Sequence, residues 1–257
     1  MTTNPKNTNL ALSLSGVSRN FGGIRAVADI SFDVSHGQRL TVIGTNGAGK
    51  STLFNLIAGV YPLSAGSIHV FGQDVSKQPA HKRAALGIAR TFQTSKLFQG
   101  LTVRENLFVA LRQALGEQKL NWLANPASSN RLHDESTVIL EKVDLHKKAD
   151  TLVSDISHGE SRQLEVAMAL AMRPKILMLD EPAAGISPTE RGRLVDLLKS
   201  LDKEMTVVLI EHDMAVALAV ADEVIVMHDG NMFMQGTPDE IRNSKAVRDL
   251  YLGSNHE

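Results

Sequence analysis

The chain has 257 residues, of which 43% are hydrophobic and 21% charged, and its formal net charge is −1. This length suits one large domain, or a domain with an added lobe, and provides enough apolar residues for a full core. The near-neutral charge argues against a general nucleic-acid or anionic-membrane surface. The absence of cysteine excludes disulfides, thiolate metal sites and a cysteine nucleophile, and it agrees with a reducing compartment.

Neither a leader peptide nor a membrane span is predicted. Residues 1–14 are polar and rich in Asn and Thr, without the basic start and apolar centre of a signal peptide. The longest apolar run, 214–221, is far shorter than the roughly 20 residues that cross a bilayer. We therefore expect a soluble chain, and any work at a membrane would need another subunit to supply the span.

The first part of the chain predicts antiparallel strands. Apolar residues alternate loosely over 11–34, with a break at 20–23, and a further short strand and turn follow over 67–74. Phe21 precedes two glycines at the break. Its ring is either available to stack on a flat ligand or packed like an ordinary aromatic, and the residues leave both readings open.

A glycine-rich stretch follows the apolar run 40–43 and precedes a helical pattern that ends at Gly59. A strand, a glycine loop ending in Lys-Ser and a helix fit the phosphate-binding pattern G-x-x-x-x-G-K-[ST]. Its glycines let backbone N–H groups converge on one anion, and the helix N-terminus adds a positive field. We expect Lys50 to reach the β- and γ-phosphates and the Ser51 hydroxyl to bind Mg²⁺. A glycine turn without a ligand is the alternative. The expected phosphate-binding residues are Gly44, Thr45, Asn46, Gly47, Ala48, Gly49, Lys50, Ser51 and Thr52.

The composition changes after Gln93, which ends the segment 86–93. Residues 102–105 have capping-box spacing, and an apolar stripe over 107–115 predicts a helix. Residues 116–130 are rich in loop formers and predict a surface excursion, after which a helix resumes over 138–143. These features predict a mostly helical lobe inserted into an α/β body.

A second loop leads into a helix at Ile-Ser-His-Gly-Glu, residues 156–160. The Ser157 hydroxyl, the N–H groups around Gly159 and the helix N-terminus could form a second anion site. The alternative is an ordinary serine N-cap.

Two apolar runs end in acidic or imidazole side chains. The run 175–179 predicts a central parallel strand buried on both faces, and Asp180 and Glu181 follow it at the end where α/β sheets bind ligands. There Asp180 could hold Mg²⁺, directly or through water, and Glu181 could orient or deprotonate the water that attacks the γ-phosphate. The run 206–210 ends at Glu211-His212-Asp213, where His212 could touch the γ-phosphate, although a lone histidine is usually structural.

The remaining segments predict a helix that starts with a capping box at 187–190 and has Pro at its first helical position. A hairpin over 223–235 with its turn at 228–231, and a final helix that starts at 237–240, complete the chain.

Five signals therefore stand in a fixed order: the phosphate loop, Gln93, the Ser-His-Gly-Glu segment, the Asp-Glu pair and His212. This order resembles the ATP-binding subunits of ABC transporters over nearly the whole chain. The resemblance implies an α/β P-loop NTPase (RecA-like) core with an N-terminal antiparallel β subdomain and an inserted helical subdomain. It assigns 10–93 and 166–257 to the β subdomain and core, and 94–165 to the helical subdomain with the signature.

The resemblance also implies residue roles. Phe21 matches the aromatic residue that stacks on adenine, and Gln93 matches the residue that senses Mg²⁺ and the attacking water. Glu181 matches the catalytic base and His212 the switch histidine on the γ-phosphate. Residues 184–187 stand where the family's D-loop crosses the dimer interface.

The signature departs from the common Leu-Ser-Gly-Gly-Gln at three positions, because Ile156, His158 and Glu160 replace Leu, the first Gly and Gln. Ser157 and Gly159, which are expected to meet the γ-phosphate, remain. The Ser-His-Gly-Glu form resembles the branch that imports branched-chain amino acids, amides and urea, although this chain has Ser161 where that branch often has Gln. The segments 90–93, 97–98, 101–103, 210–214 and 251–253 resemble that branch too.

The resemblance implies ATP and Mg²⁺ as ligands and a head-to-tail dimer, either a homodimer or a heterodimer with a sister subunit. It implies transmembrane permease subunits as partners, a substrate-binding protein as an indirect partner, and a cytoplasmic location on the inner face of the cell membrane. A soluble ABC ATPase of repair or translation would bring a coiled-coil insertion, a second cassette or a basic face, and none is visible. Glu181 and His212 argue against a module that binds nucleotide without hydrolysis. A P-loop kinase or GTPase would lack the second anion loop.

Overall fold

The computed structural model describes residues 9–91, 97–115 and 130–253. The strands in chain order are β1 Leu10–Phe21, β2 Ile24–Ser35, β3 Arg39–Gly44, β4 Ala65–Val70, β5 Gln73–Asp74, β6 Ile88–Arg90, β7 Ile176–Asp180, β8 Thr206–Ile210, β9 Glu223–His228 and β10 Asn231–Gly236. The α-helices are α1 Lys50–Ile57, α2 Ala80–Ala85, α3 Val103–Ala114, α4 Asn130–Lys142, α5 His158–Ala171, α6 Pro188–Ser200, α7 Met214–Val220, α8 Pro238–Asn243 and α9 Lys245–Gly253.

The larger sheet positions the site. It has six strands in the order β10-β9-β3-β8-β7-β6, and all neighbours are parallel except β10, which pairs antiparallel with β9. Every residue of β7 and β8 is buried, as expected for strands covered on both faces. Because β3, β8 and β7 are adjacent and parallel, the segments that follow their carboxyl ends meet at one edge of the sheet.

The smaller sheet is antiparallel, in the order β2-β1-β4-β5. Its first hairpin pairs Phe21 with Ile24 across two glycines, and Gly22 has a φ of 57° that suits a tight turn. The antiparallel strands predicted at the start of the chain are confirmed, as are the short strand and turn over 67–74.

Helices α3, α4 and α5 pack together in one lobe around Val103, Leu107, Leu140 and Leu164, which are buried in one cluster. The predicted capping box at the start of α3 is confirmed by hydrogen bonds in both directions between Thr102 and the residue three positions later. The helix predicted over 138–143 is longer than expected. It begins at 130. Sequence analysis missed its polar first half because that half has no apolar stripe.

Four further points differ from, or lie beyond, the sequence predictions. Helix α2 was not predicted, and the single final helix is two helices separated at Ser244. The predicted excursion over 116–130 lies outside the described residues, apart from the helix start at 130. The proposed boundary between 165 and 166 falls inside α5, and the division into subdomains stays a prediction. None of the helices within residues 9–91, 97–115 and 130–253 has the length and apolar character of a membrane span.

Candidate nucleotide site

The glycine loop joins the end of β3 to the start of α1, and backbone atoms of β2 and β9 lie close to its glycines. Gly49 has a φ of 94°, and a Cβ there would lie 2.3 Å from the carbonyl oxygen of Ala26. A Cβ at Gly44 would lie 2.2 Å from the carbonyl oxygen of Met227. Both positions therefore require glycine, and the loop is held by β2 on one side and β9 on the other.

Lys50 is buried at the N-terminus of α1, with only 6% of its surface exposed. Its ammonium donates hydrogen bonds to the carbonyl oxygens of Gly44 at 2.8 Å and Thr45 at 3.0 Å. Burial lowers the pKa of Lys50, while the nearby carboxylates of Glu181 and Asp180 oppose that shift. The loop thus holds a cation close to two acids.

A cavity of about 550 Å³ opens above the loop. Part of its lining was predicted, namely the loop from Asn46 to Thr52 and Glu181. Five further residues line it from β2 and from the β9–β10 turn, and no local motif marked them. They are Ile24, Arg25, Ala26, Asp229 and Gly230.

Asp180 ends β7 and is buried, with Oδ2 accepting a hydrogen bond from Nη2 of Arg90 at 2.8 Å. Its other oxygen, Oδ1, is buried and has no hydrogen-bond partner among the described residues. The next residue, Glu181, has a φ of 49°. Such left-handed backbone in a residue other than glycine is strained and is common at functional sites.

His212 lies beside Glu181 and Glu211, the acids that directly follow β7 and β8. Its Nδ1 is 3.9 Å from a carboxylate oxygen of Glu181 and 3.9 Å from one of Glu211. The imidazole is about half exposed, with 52% of the side-chain surface accessible. The structure thus brings the predicted Glu181 and His212 together because β7 and β8 are neighbours.

Glu211 was missed by the sequence analysis. It is fully buried, and its carboxylate accepts hydrogen bonds from the backbone N–H groups of Ala183 at 2.8 Å, His212 at 3.2 Å and Asp213 at 3.4 Å. Burial raises the pKa of this carboxyl, and the hydrogen bonds oppose that shift. The available signal was an acid directly after a buried strand that is apolar except for Thr206.

The second predicted anion loop forms a helix cap in this structure. Ser157 accepts a hydrogen bond from the backbone of Glu160, whose carboxylate accepts one from Ser157 N–H. The Ser157 hydroxyl also donates to Oε1 of Glu190 at 3.2 Å. A Cβ at Gly159 would lie 2.2 Å from the same oxygen, so α5 and α6 start in close contact. None of these residues lines the phosphate-loop cavity of its own chain.

Several predicted residues within the described ranges are absent from the cavity lining, namely Gly44, Thr45, Phe21, Asp180 and His212. The Phe21 ring makes an edge contact with Tyr61 at 5.4 Å between ring centroids, and the Arg19 guanidinium lies 4.6 Å from its centroid. Phe21 is not part of the cavity lining, and its contact with adenine stays a prediction. Gln93 lies outside the described residues.

A second cavity, a groove of about 460 Å³, lies between the larger sheet and the helical lobe. Its walls come from α2, β6, α3 and α5 and are mainly apolar. The apolar residues that line it include Ala84, Ile88, Ala89, Leu97, Val109, Ala110, Met168, Ala169 and Met172. Arg90 and Glu165 are charged residues in the lining.

The fold and the site together define a class of protein. A glycine loop between a parallel strand and a helix, with a buried lysine close to acids at the end of another strand of the same parallel sheet, is the arrangement of a P-loop nucleoside triphosphatase.

Comparisons with known proteins narrow this class. The family model described as ABC transporter matches residues 27–184. The branched-chain amino acid transport ATP-binding protein BraF of Pseudomonas aeruginosa is 38% identical over 94% of this chain and 97% of its own length. LivG of Escherichia coli K12 is 37% identical over the same shares. The crystal structure of the ATP-binding cassette MJ1267 in its ADP conformation superposes with a TM-score of 0.83, at 28% identity, over 95% of this chain and 99% of that one.

The chain belongs to the ABC transporter family, as an ATP-hydrolysing cassette. The predicted family, fold class and ATPase class are confirmed.

Proposed function

We propose that this protein is the ATP-hydrolysing subunit of an importer for branched-chain amino acids or related small polar compounds, such as amides or urea. The observation that supports this substrate class is the identity of 38% with BraF and 37% with LivG, each over 94% of the chain. The lipopolysaccharide export protein LptB of Escherichia coli is less similar, at 31% identity over the same share of the chain. The difference favours the importer branch.

ATP binds with its phosphates in the cavity above the glycine loop. The backbone N–H groups of 44–52 and the Lys50 ammonium supply the positive field that a triphosphate needs. Lys50 then exchanges the carbonyl oxygens of Gly44 and Thr45 for phosphate oxygens. Phe21 is assigned to stack on adenine, as the family resemblance implies.

Mg²⁺ is held by the Ser51 hydroxyl, Asp180 and Gln93. The residues present fit the ion, because Asp180 offers a buried carboxylate oxygen without a hydrogen-bond partner among the described residues, and Mg²⁺ prefers oxygen ligands. When bound, the ion neutralises charge on the β- and γ-phosphates.

Glu181 orients or deprotonates the attacking water, and His212 contacts the γ-phosphate. The positions of both side chains support these roles, since Glu181 lines the cavity and His212 Nδ1 is 3.9 Å from its carboxylate. Gln93 is assigned to sense the attacking water and Mg²⁺, as the family resemblance implies.

Two cassettes, either two copies of this chain or this chain and a sister subunit, close head to tail around ATP. Ser157, Gly159 and Glu160 of one cassette face the ATP held by the phosphate loop of the other. Loss of the γ-phosphate after hydrolysis removes a shared ligand and lets the dimer open.

The apolar groove beside the helical lobe receives a helix of the transmembrane permease. The groove has the size and mainly apolar lining expected of a helix-binding surface. Docking there places the cassette on the inner face of the cell membrane, where closure of the dimer changes the conformation of the permease and thereby acts on the substrate-binding protein.

The test combines hydrolysis with dimerisation. Wild type, Glu181→Gln and the control Glu204→Gln, an exposed acid between α6 and β8, are purified. ATP turnover and ATP-dependent mass by light scattering are then measured. We expect wild type and the control to hydrolyse ATP, and Glu181→Gln to dimerise without turnover. Full activity of Glu181→Gln would overturn the assignment of the base, and failure of all three proteins to dimerise would overturn self-pairing.

The substrate class is tested by uptake of labelled leucine, acetamide and urea in cells that lack the gene. Complementation by wild type, and not by Glu181→Gln, should restore uptake of one of these compounds. Restoration of none would contradict the proposed substrate class.

A further inference from the structure

The side chain of Arg90 joins two parts of the nucleotide site from behind. Arg90 ends β6, next to the strand that carries Asp180. Its Nη2 donates to Oδ2 of Asp180 at 2.8 Å, and its Nη1 donates to Oδ1 of Asn55 at 2.6 Å. Only 12% of the Arg90 side chain is exposed, so both bonds are shielded from water.

Asn55 extends this connection into the phosphate-loop helix. It lies on α1, one turn after Ser51, and its Nδ2 donates to the Ser51 carbonyl oxygen at 2.8 Å. The ring of Phe54 packs against the guanidinium at 5.6 Å from its centroid. Arg90 therefore contacts the strand that bears Asp180 and, through Asn55, the helix turn that bears Ser51.

The bond from Arg90 also sets the orientation of the Asp180 carboxylate. Charge-assisted bonds of a guanidinium are strong and directional. This one engages Oδ2 and leaves Oδ1 buried without a partner in the described structure. A buried carboxylate oxygen with no donor is costly unless a ligand uses it. The arrangement thus reserves one oxygen of Asp180 for a ligand.

We propose that Arg90 is a positioning residue for the metal side of the nucleotide site. It holds Asp180 so that Oδ1 is presented to Mg²⁺, and through Asn55 it fixes the turn of α1 that presents the Ser51 hydroxyl. This inference rests on the proposed function, in which Ser51 and Asp180 hold the ion. Lysine cannot replace Arg90, because a single ammonium lacks the planar fork that reaches both partners.

The positive charge of Arg90 beside Asp180 has the opposite effect, because it repels a cation. The two effects predict opposite changes in metal affinity when Arg90 is replaced. If orientation of Asp180 dominates, the replacement lowers the metal affinity. If charge repulsion dominates, the replacement raises it.

The experiment measures metal affinity directly. The electron paramagnetic resonance signal of free Mn²⁺ is titrated in the presence of ADP for wild type, Arg90→Gln, Arg90→Lys and Asn55→Ala. The matched control is Arg104→Gln, which removes a comparably buried arginine, 15% exposed, that bonds Ser136 and Thr137 on the helical lobe. ADP affinity is also measured calorimetrically with excess Mg²⁺ and with EDTA.

We expect Arg90→Gln and Arg90→Lys to lose Mn²⁺ affinity by about 10- to 100-fold, the usual cost of removing a residue that orients a metal ligand. Asn55→Ala should lose less. ADP affinity in EDTA should stay within about twofold of wild type in every variant, because the phosphate loop itself is unchanged. Wild-type or higher Mn²⁺ affinity in a folded Arg90 variant would overturn the proposal.

Asp180→Asn separates this inference from the proposed function. If Asp180→Asn loses Mn²⁺ affinity and the Arg90 variants do not, the role of Arg90 is wrong and the metal site stands. If Asp180→Asn also keeps its affinity, the metal assignment itself is wrong and the inference about Arg90 falls with it. Should Arg90→Gln not fold, Arg90→Lys and Asn55→Ala decide the question.

Discussion

The backbone N–H of Ala183 donates to the carboxylate of Glu211 at 2.8 Å. This bond joins the segment after β7, which carries Glu181, to the segment after β8, which carries His212. The same carboxylate accepts the N–H of His212 at 3.2 Å. A fully buried acid thus ties together the backbone of the two segments on which hydrolysis is proposed to depend.

Glu211→Gln tests the charge state of this acid. Burial raises the pKa of Glu211 in the native state, so the native protein binds this proton more tightly than the unfolded chain does. The resulting stabilisation is full below the unfolded pKa and is lost as pH rises through the higher native pKa. We expect the free energy of unfolding of wild type, relative to Glu211→Gln, to be smaller at about pH 8 than at about pH 5. Urea denaturation measures both values.

Glu204→Gln is the matched control, because Glu204 is an exposed acid in a turn. Its effect on the free energy of unfolding should be within about 0.5 kcal/mol at both pH values. A pH-independent difference between wild type and Glu211→Gln would contradict the prediction.

Each part of the site that sequence analysis found is a short, contiguous segment of the chain. The loop 44–52 contains its own glycines, lysine and hydroxyls, and Asp180 and Glu181 directly follow a buried strand. Local chemistry and strand order were enough to place these residues at one edge of a parallel sheet.

The missed residues act across long separations. Arg90 donates a hydrogen bond to Asp180, which lies 90 positions later in the chain. The N–H of Gly230 donates to Ala48 in the phosphate loop, which lies far earlier in the chain. Such contacts depend on which strands become neighbours in the sheet, and no local pattern records that. The polar start of α4 was missed for a different reason, because helices without an apolar stripe give no periodic signal.

Lys50 should take up a proton when nucleotide binds at alkaline pH. Burial lowers the pKa of Lys50, so part of the nucleotide-free protein loses the Lys50 proton at a pH below the ordinary pKa of lysine. Bound phosphates favour the charged form of the side chain, so nucleotide binding restores that proton. Calorimetric titration with ADP at about pH 9, in two buffers of different ionisation enthalpy, measures the proton uptake. Uptake should vanish in Lys50→Met, with an affinity loss of at least about tenfold. Equal uptake in both proteins would show that another group titrates.

Gly230→Ala should weaken nucleotide binding from outside the loop. The Gly230 N–H donates to the carbonyl oxygen of Ala48 in the loop at 3.1 Å. Its φ is 77°, and a Cβ would lie 2.9 Å from the carbonyl oxygen of Arg25. We expect a loss of about 1–3 kcal/mol in the free energy of unfolding together with lower ADP affinity, measured by denaturation and calorimetry.

Gly192→Ala is the control for Gly230→Ala. Gly192 lies inside α6, and a Cβ there meets nothing within 4 Å. This change should stabilise the protein by about 0.5–1 kcal/mol, since alanine favours a helix interior, and should leave ADP affinity unchanged. Unaltered ADP affinity in Gly230→Ala would show that the turn does not support the loop.

Ser157→Ala separates a helix cap from a contact with a second subunit. Ser157 caps α5, and Thr237 caps α8 with the same pair of reciprocal bonds. Replacement of either residue by alanine should cost about 1 kcal/mol in the free energy of unfolding. If Ser157 also meets the ATP of the opposing cassette, only Ser157→Ala should weaken ATP-dependent dimerisation, measured by light scattering in the Glu181→Gln background. Equal dimerisation of the two variants, at equal cost in stability, would leave Ser157 with the role of a cap alone.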